Sequence, residues 1–322
     1  MTPEDARNTI EQWLTTLDGV ETVEVSFYGG SFTGIPIEEQ SAFLAVAKEY
    51  KDKGRIHKIH LSTRPDYISK EILDNLRAYG VDVIELGVQS FDDRVLDMSG
   101  RGHHADVVYQ ACDMIRKWGF TLGIQLMIGL PGDSLESCVY SARETVKIGP
   151  AIARLYPTVT IHDTALYDMY EKGEYSPLAL REAVHRTKSM YEILDDAGIN
   201  IIRVGLKSSE IMDDEIGFHP AFRQLVESEI AKERIENRIR EILDEQCPEW
   251  EYYGGVNEEV NAFHVELTAI ANEKCYGNMF GHKAANRQYF ERKYPMVSLS
   301  YAKDYERFME LGNNEYEIIE EY

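Results

Sequence analysis

The sequence has no closely spaced cysteines. Cys112, Cys138, Cys247 and Cys275 are scattered and show no Cys-x-x-Cys or comparable spacing. That argues against metal ligation by these residues, and they read as reduced, packed thiols. Long apolar runs are also missing, as is a basic-then-apolar N-terminal signal, so a cytoplasmic location with no membrane partner is expected. Positive charge is scarce: 34 Lys and Arg stand against 56 Asp and Glu, a net charge of −22. This balance favours solubility and opposes non-specific adhesion to nucleic acid or anionic lipid. An RNA partner would need a local basic patch, and no dense Lys/Arg run supplies one. Internal repeats and low-complexity linkers are absent.

What is present is alternation. Val23, Val25 and Phe27 alternate with Glu24, Ser26 and Tyr28, and Gly29-Gly30 follow. Ile59 and Leu61 alternate with His60 and Ser62; Ile84, Leu86 and Val88 alternate with Glu85, Gly87 and Gln89. Leu122, Ile124, Leu126 and Ile128 alternate with Gly123, Gln125 and Met127; Leu155, Pro157 and Val159 alternate with Arg154, Tyr156 and Thr158. Side chains alternate faces along a strand. Helix-sized stretches separate these segments, which predicts parallel strands covered by helices. Buried parallel strands usually read as continuous Val/Ile/Leu runs. These instead present one polar face. That face is either a polar-walled ligand site or, if the helices do not cover the sheet, a surface in water.

The pattern predicts a first helix capped by Thr2, Pro3 and Asp5, with an apolar stripe of Ile10, Trp13, Leu14 and Leu17. Strands are expected at 21–28, 56–62, 82–88, 121–128, 152–160 and Ile199–Val204, with helices at 37–53, 68–79, 104–118, 134–147, 164–172 and 177–197. The pattern then changes. A charged helix at 218–246, a strand at 259–266, a turn around Tyr276–Gly281, a helix at 283–293, a strand at 296–300, a helix at 301–311 and an acidic end make a smaller α/β appendix. The expected division is 1–205 and 206–322.

Ligands of parallel β/α folds bind at the C-terminal ends of the strands, so the candidate residues are those that fall there. Gly29, Gly30 and Ser31 follow the first strand: either a tight turn, or a backbone that a ligand approaches closely, with carbonyls that accept from an ammonium. In STRPDYI (62–68), Ser62 ends a strand and Asp66 reads as a helix-start acid. Glu85, Gln89 and Ser90 sit along and at the end of the third strand. Arg101 is either a loop residue or a bidentate partner for a ligand carboxylate. His103 and His104 read as residues entering a helix. Gln125 lies on the inner face, before a turn at Gly129–Gly132.

Taken together, FYGGSF (27–32), STRPDYI, ELGVQSFDDRVL (85–96), GRGH (100–103), GIQLMIGLPGD (123–133) and LYPTVTIHDTALYDMYEKGEY (155–175) resemble a radical S-adenosylmethionine (SAM) enzyme. The resemblance is to the branch holding the catalytic subunit of the elongator complex and the oxygen-independent coproporphyrinogen oxidases, and it covers roughly residues 20–205. FHPAFRQLVESEI (218–230) and FGHKAANRQYF (280–290) resemble the C-terminal domain of elongator-subunit-like proteins. The resemblance implies a partial (β/α)6 barrel lacking its first strand, plus a small C-terminal α/β domain. It implies that Gly29, Gly30 and Ser31 hold the SAM ammonium, and that Gln89 and Arg101 contact the methionyl and ribose portions. Gln125 stands where relatives have an Asp on the ribose, Ser62 where they often have a Glu, and Gly129 opens the turn beside the adenine.

The implied activity is reductive cleavage of SAM to a 5′-deoxyadenosyl radical. The electron donor would be a ferredoxin or flavodoxin, and a tRNA base is suggested as substrate. The family's Cys-x-x-x-Cys-x-x-Cys, whose three thiolates hold a [4Fe–4S] cluster with one iron open, has no counterpart here. Either the chain begins after the cluster segment, the expectation favoured by a SAM side that looks intact, or it is a cluster-less SAM-binding or interaction protein. A third reading, an unrelated barrel enzyme with Glu85 as base, predicts no SAM binding.

Overall fold

The computed structural model describes residues 1–206, 216–246, 250, 264–305 and 309–320. They form two compact units, Met1–Ala179 with Ser189–Phe218, and Leu180–Lys188 with His219–Tyr322. The first unit is built on six parallel strands in sequential order: β1 (Glu24–Phe27), β2 (Lys58–Thr63), β3 (Val83–Gln89), β4 (Thr121–Ile128), β5 (Ile152–Pro157) and β6 (Asn200–Val204). Helices Ile37–Asp52, Lys70–Ala78, Ala105–Lys117 and Leu135–Ile148 connect consecutive strands. The outer face is apolar and sealed: Ile59, Leu61, Ile84, Leu86, Val88, Ile124, Leu126 and Leu155 are fully buried. Burying such a face against helices is what forces the polar residues of the same strands to the other side. The sheet curls into a partial barrel, far enough that Tyr28, just past β1, hydrogen-bonds Arg154 on β5. Among the described residues no strand pairs with the outer edge of β1.

The first helix, Pro3–Leu14, has its Thr2–Asp5 capping box in place. Its expected stripe is narrower than the sequence suggests. Ile10 is buried, Trp13 is exposed, and Leu17 lies past the helix end. A short helix at Asp93–Met98, capped by Asp92, went unread because six residues are too few to show a period.

In the second unit, helix Phe222–Gln246 packs Ile235, Ile239, Ile242 and Leu243 into one core with Val265, Leu267 and Phe290. The central strand Val265–Ala271 runs parallel to Val297–Lys303 and antiparallel to Tyr316–Glu320. Three expectations are corrected here. The strand placed at 259–266 lies at Val265–Ala271, with 259–263 outside the described residues. The helix placed at 301–311 is replaced over its first residues by the continuation of a strand. The acidic end contains an edge strand, because Ile318 of Tyr316–Glu320 supplies the buried contact while Glu317 and Glu320 stay partly exposed. The loop Glu251–Gly255 lies outside the described residues.

Candidate functional site

The polar faces of the strands converge on one cavity of about 810 Å3. Gly29, Gly30 and Ser31 line it from the loop after β1, and Ser62 from β2. Gln89 enters from β3, Gln125 from β4, and Arg101 from the loop before helix Ala105–Lys117. The expected Gly-Gly cradle is open: a Cβ added at Gly29 or Gly30 would meet nothing within 4 Å. Gly29 has φ +100, which glycine adopts at no steric cost.

A network of buried charge lines the wall. Arg154 Nε donates to Glu85 Oε2 at 2.7 Å, and Nη1 donates to the Tyr156 hydroxyl at 3.1 Å. Its Nη2 donates to the Tyr28 hydroxyl, with the guanidinium 4.6 Å from that ring's centroid. The Tyr28 hydroxyl lies 3.3 Å from both ring nitrogens of His60, and His60 Nε2 is 3.5 Å from Glu85 Oε2. Burial and the Glu85 carboxylate push the Tyr28 phenol up to about 12, so it stays protonated. Glu85 is 1% exposed, and its second oxygen, Oε1, has no hydrogen-bond partner. Gly123 leaves room for the Glu85 side chain: it sits between Glu85 and Ile152 on β4, and a Cβ there would lie 2.8 Å from Ile152 Cγ1 and 3.2 Å from Glu85 Cγ.

Two strand irregularities aim side chains into the cavity. On β3 the register steps from Gly87 to Gln89, and Gln89 takes φ +70, a left-handed conformation uncommon for a residue with a Cβ. Gln125 Nε2 donates to Gln89 Oε1 at 3.2 Å. On β6 the register steps past Ile202, so that Arg203 pairs with Arg154. Bulges re-aim side chains in this way and gather next to active sites.

Arg101 lines the cavity with a buried Nε that has no partner. Burial and the nearby Arg64 guanidinium pull it below the usual arginine value, partly offset by Asp66. Arg64 forms a bidentate pair with Asp66, at 2.9 and 2.8 Å, and donates to the Arg101 carbonyl at 2.6 Å. Asp66 therefore does more than start a turn: through Arg64 it fixes the backbone that carries Arg101.

Not every candidate is in the lining. Glu85 lies behind it, held by Arg154 and His60. Ser90 is turned away: its Oγ accepts from Asp92 N at 3.1 Å and lies 3.3 Å from Ser141 Oγ, which pins the strand end to helix Leu135–Ile148. Gly129 sits in the following turn, where its N donates to Asp133 Oδ2 at 2.7 Å and its carbonyl accepts from Tyr175. Arg203, Arg64 and Tyr28 enter the site without having been singled out. A signal existed for Arg154, an arginine mid-strand between apolar neighbours, which must be paired if buried.

Among the described residues no donor set fits an iron–sulfur cluster. Among the described residues no group of three or more His, Cys, Asp or Glu is arranged to hold a metal. Cys112, Cys138 and Cys275 are separate buried thiols. Burial pushes Cys112 up to about 12, which keeps it protonated and a poor ligand, and Cys138 Sγ donates to Asp133 at 3.1 Å. Cys247 lies outside the described residues. The cavity does fit SAM, with backbone space at Gly29-Gly30, amide groups at Gln89 and Gln125, and the cationic Arg101.

The fold agrees with the comparisons to known families. The chain belongs to the radical SAM superfamily: the superfamily model matches residues 1–144, and the radical SAM C-terminal domain model matches residues 150–232. Within it, the chain is similar to elongator-type proteins. It is 28% identical over 198 residues to the tRNA uridine(34) acetyltransferase of Methanocaldococcus infernus, covering 55% of this chain and 37% of that protein. It is 25% identical over 241 residues to elongator complex protein 3 of Schizosaccharomyces pombe, covering 65% and 44%. A solved structure of the archaeal M. infernus Elp3 with an N-terminal deletion shares the fold, with a TM-score of 0.55 and 24% identity over 63% of this chain and 55% of that one. The chain spans half or less of the length of the curated relatives it matches. No helix among the described residues is long and apolar enough to cross a membrane.

Proposed function

We propose that the cavity binds SAM and that the protein is the SAM-side part of a radical SAM reaction centre, cytoplasmic and acting on tRNA. The observation that supports this best is the convergence of Gly29, Gly30, Gln89, Arg101 and Gln125 on one hollow from four separate segments. In this reading the Gly29-Gly30 carbonyls take the ammonium and Arg101 takes the carboxylate. Gln89 and Gln125 fix the ribose, with Ser31 and Ser62 beside them. Gly129 and Ser90 act indirectly, by shaping the turns. Bound beside a reduced iron–sulfur cluster, SAM would be the source of radical chemistry in this family. The described residues do not supply that cluster, so their part is to bind and orient SAM and to exclude water. The tRNA assignment rests on the names of the relatives, and the ferredoxin or flavodoxin donor on the family.

A second reading, SAM binding without cleavage, is favoured by the cysteine arrangement. Calorimetric titration tests the shared claim. SAM is expected to bind saturably, with Arg101→Gln weakening it by about tenfold or more. No saturable binding would overturn both readings. Release of 5′-deoxyadenosine after anaerobic iron and sulfide reconstitution separates them.

A further inference from the structure

The cavity holds more positive charge than SAM can use. Arg101 and Arg203 both line it, and among the described residues neither has a carboxylate within ion-pairing distance. SAM brings one carboxylate, and the proposed reading assigns that to Arg101. Arg203 stands on the opposite arm of the curled sheet, in register with Arg154, and the β6 bulge brings Ile202 and Arg203 into the same lining. Glu85 is committed to Arg154 and His60, and Glu24, the carboxylate in the lining, lies beside Lys58 and His60, so among the described residues neither pairs with Arg203. Among the described residues the Arg203 side chain makes one polar contact, a long one in which Nε donates to the Gly205 carbonyl at 3.3 Å. An unpaired guanidinium in a partly desolvated hollow is a receptor for an anion, with planar donors matched to carboxylate or phosphate. Space allows it, since about 810 Å3 lies at the upper end of the range for small-molecule sites, about 300–1,000 Å3.

We propose that the Arg203 side of the cavity, with Arg154 and the Tyr156 hydroxyl beside it, binds an anionic group of a second reactant, a carboxylate or a phosphate, while SAM occupies the Arg101 side. The proposal rests on the SAM reading for its division of the cavity. A phosphate belongs to a nucleotide reactant and a carboxylate to an acid reactant.

The test is calorimetric titration of the full chain with inorganic phosphate and with malonate, each with and without saturating SAM. At least one of the two is expected to bind at about millimolar concentration with SAM present. The anion bound more tightly identifies the source. Arg203→Gln should weaken that anion by about tenfold and SAM by less than about twofold, with Arg203→Lys intermediate. Arg101→Gln should do the reverse. Binding of neither anion, or competition of the anion with SAM, overturns the proposal. Anion binding that responds to Arg203 in a protein that fails to bind SAM overturns the SAM reading instead and leaves the anion site standing.

Discussion

Two glutamates in this molecule are built alike and finished differently. Glu236, in the C-terminal unit, accepts from the Tyr289 hydroxyl on both oxygens at 2.8 and 2.9 Å. It also accepts from Tyr294 at 2.8 Å and Lys293 at 2.5 Å, with Arg240 at 3.4 Å. Both carboxylate oxygens have a partner, Oε1 several and Oε2 the Tyr289 hydroxyl. Glu85, in the barrel, also meets an arginine and a ring nitrogen, yet one of its oxygens has no partner although it is the more deeply buried. Leaving a buried polar atom unmatched costs about 1–3 kcal/mol. The Glu236 network leaves neither carboxylate oxygen without a partner, whereas at the cavity Arg101 Nε and, just behind its wall, Glu85 Oε1 have none.

The contrast is most easily broken at Arg154. Arg154→Met strands the Glu85 carboxylate, and a loss of about 3–5 kcal/mol is expected in urea unfolding. Adding Glu85→Leu should recover much of it; a double variant as unstable as the single would show that the pair is not the cause. Next is Gly123→Ala, which forces a Cβ against Ile152 and Glu85. It should cost about 1–3 kcal/mol in the same assay, where an ordinary strand glycine would gain from the change.

Glu236→Gln should cost about 1–3 kcal/mol while SAM affinity stays unchanged. This site also sets a pH dependence. Burial pushes Glu236 up, but hydrogen bonds from Lys293, Tyr294 and Tyr289 more than offset it, so its carboxyl lies below the ordinary carboxylate range. A depressed carboxylate stabilises above its unfolded value of about 4.3 and loses that contribution as pH falls through the folded value. The variant's melting temperature should therefore fall less steeply in acid than the wild type's. The smallest effect has the opposite sign. Gln89→Gly removes a side chain from a left-handed backbone and should stabilise by up to about 1 kcal/mol while weakening SAM binding. Equal loss of both would show that Gln89 is structural.

Much of the first unit was legible because its signals are local. Val, Ile and Leu at every second position identify the strands, and Thr2 and Ser134 cap helices where short polar side chains reach backbone donors. Of the rim residues, Gly29, Gly30, Ser62 and Gln89 were legible from their places at strand ends and Gln125 from its place on the inner face, while Arg101 stayed open between two readings until the family resemblance gave it a role. Ser90 and Gly129 have the same places but spend their groups on neighbouring turns, which no spacing reveals. Arg203 was hidden because a one-residue bulge decides where it points. The C-terminal strands were misplaced because β-pairing there depends on partners distant in sequence, Leu267 with Glu320 among them.

The sequence alone determined the strand and helix alternation, the polar inner face and the scattered cysteines, since each is a property of neighbours along the chain. Only the tertiary structure decided that Glu85 and Arg154 would meet across β4, that Arg101 and Arg203 would go unpaired in one hollow, and that Tyr28 would reach β5. Those outcomes depend on how strongly the sheet curls and where its register slips, and both are set by packing among residues far apart in the chain.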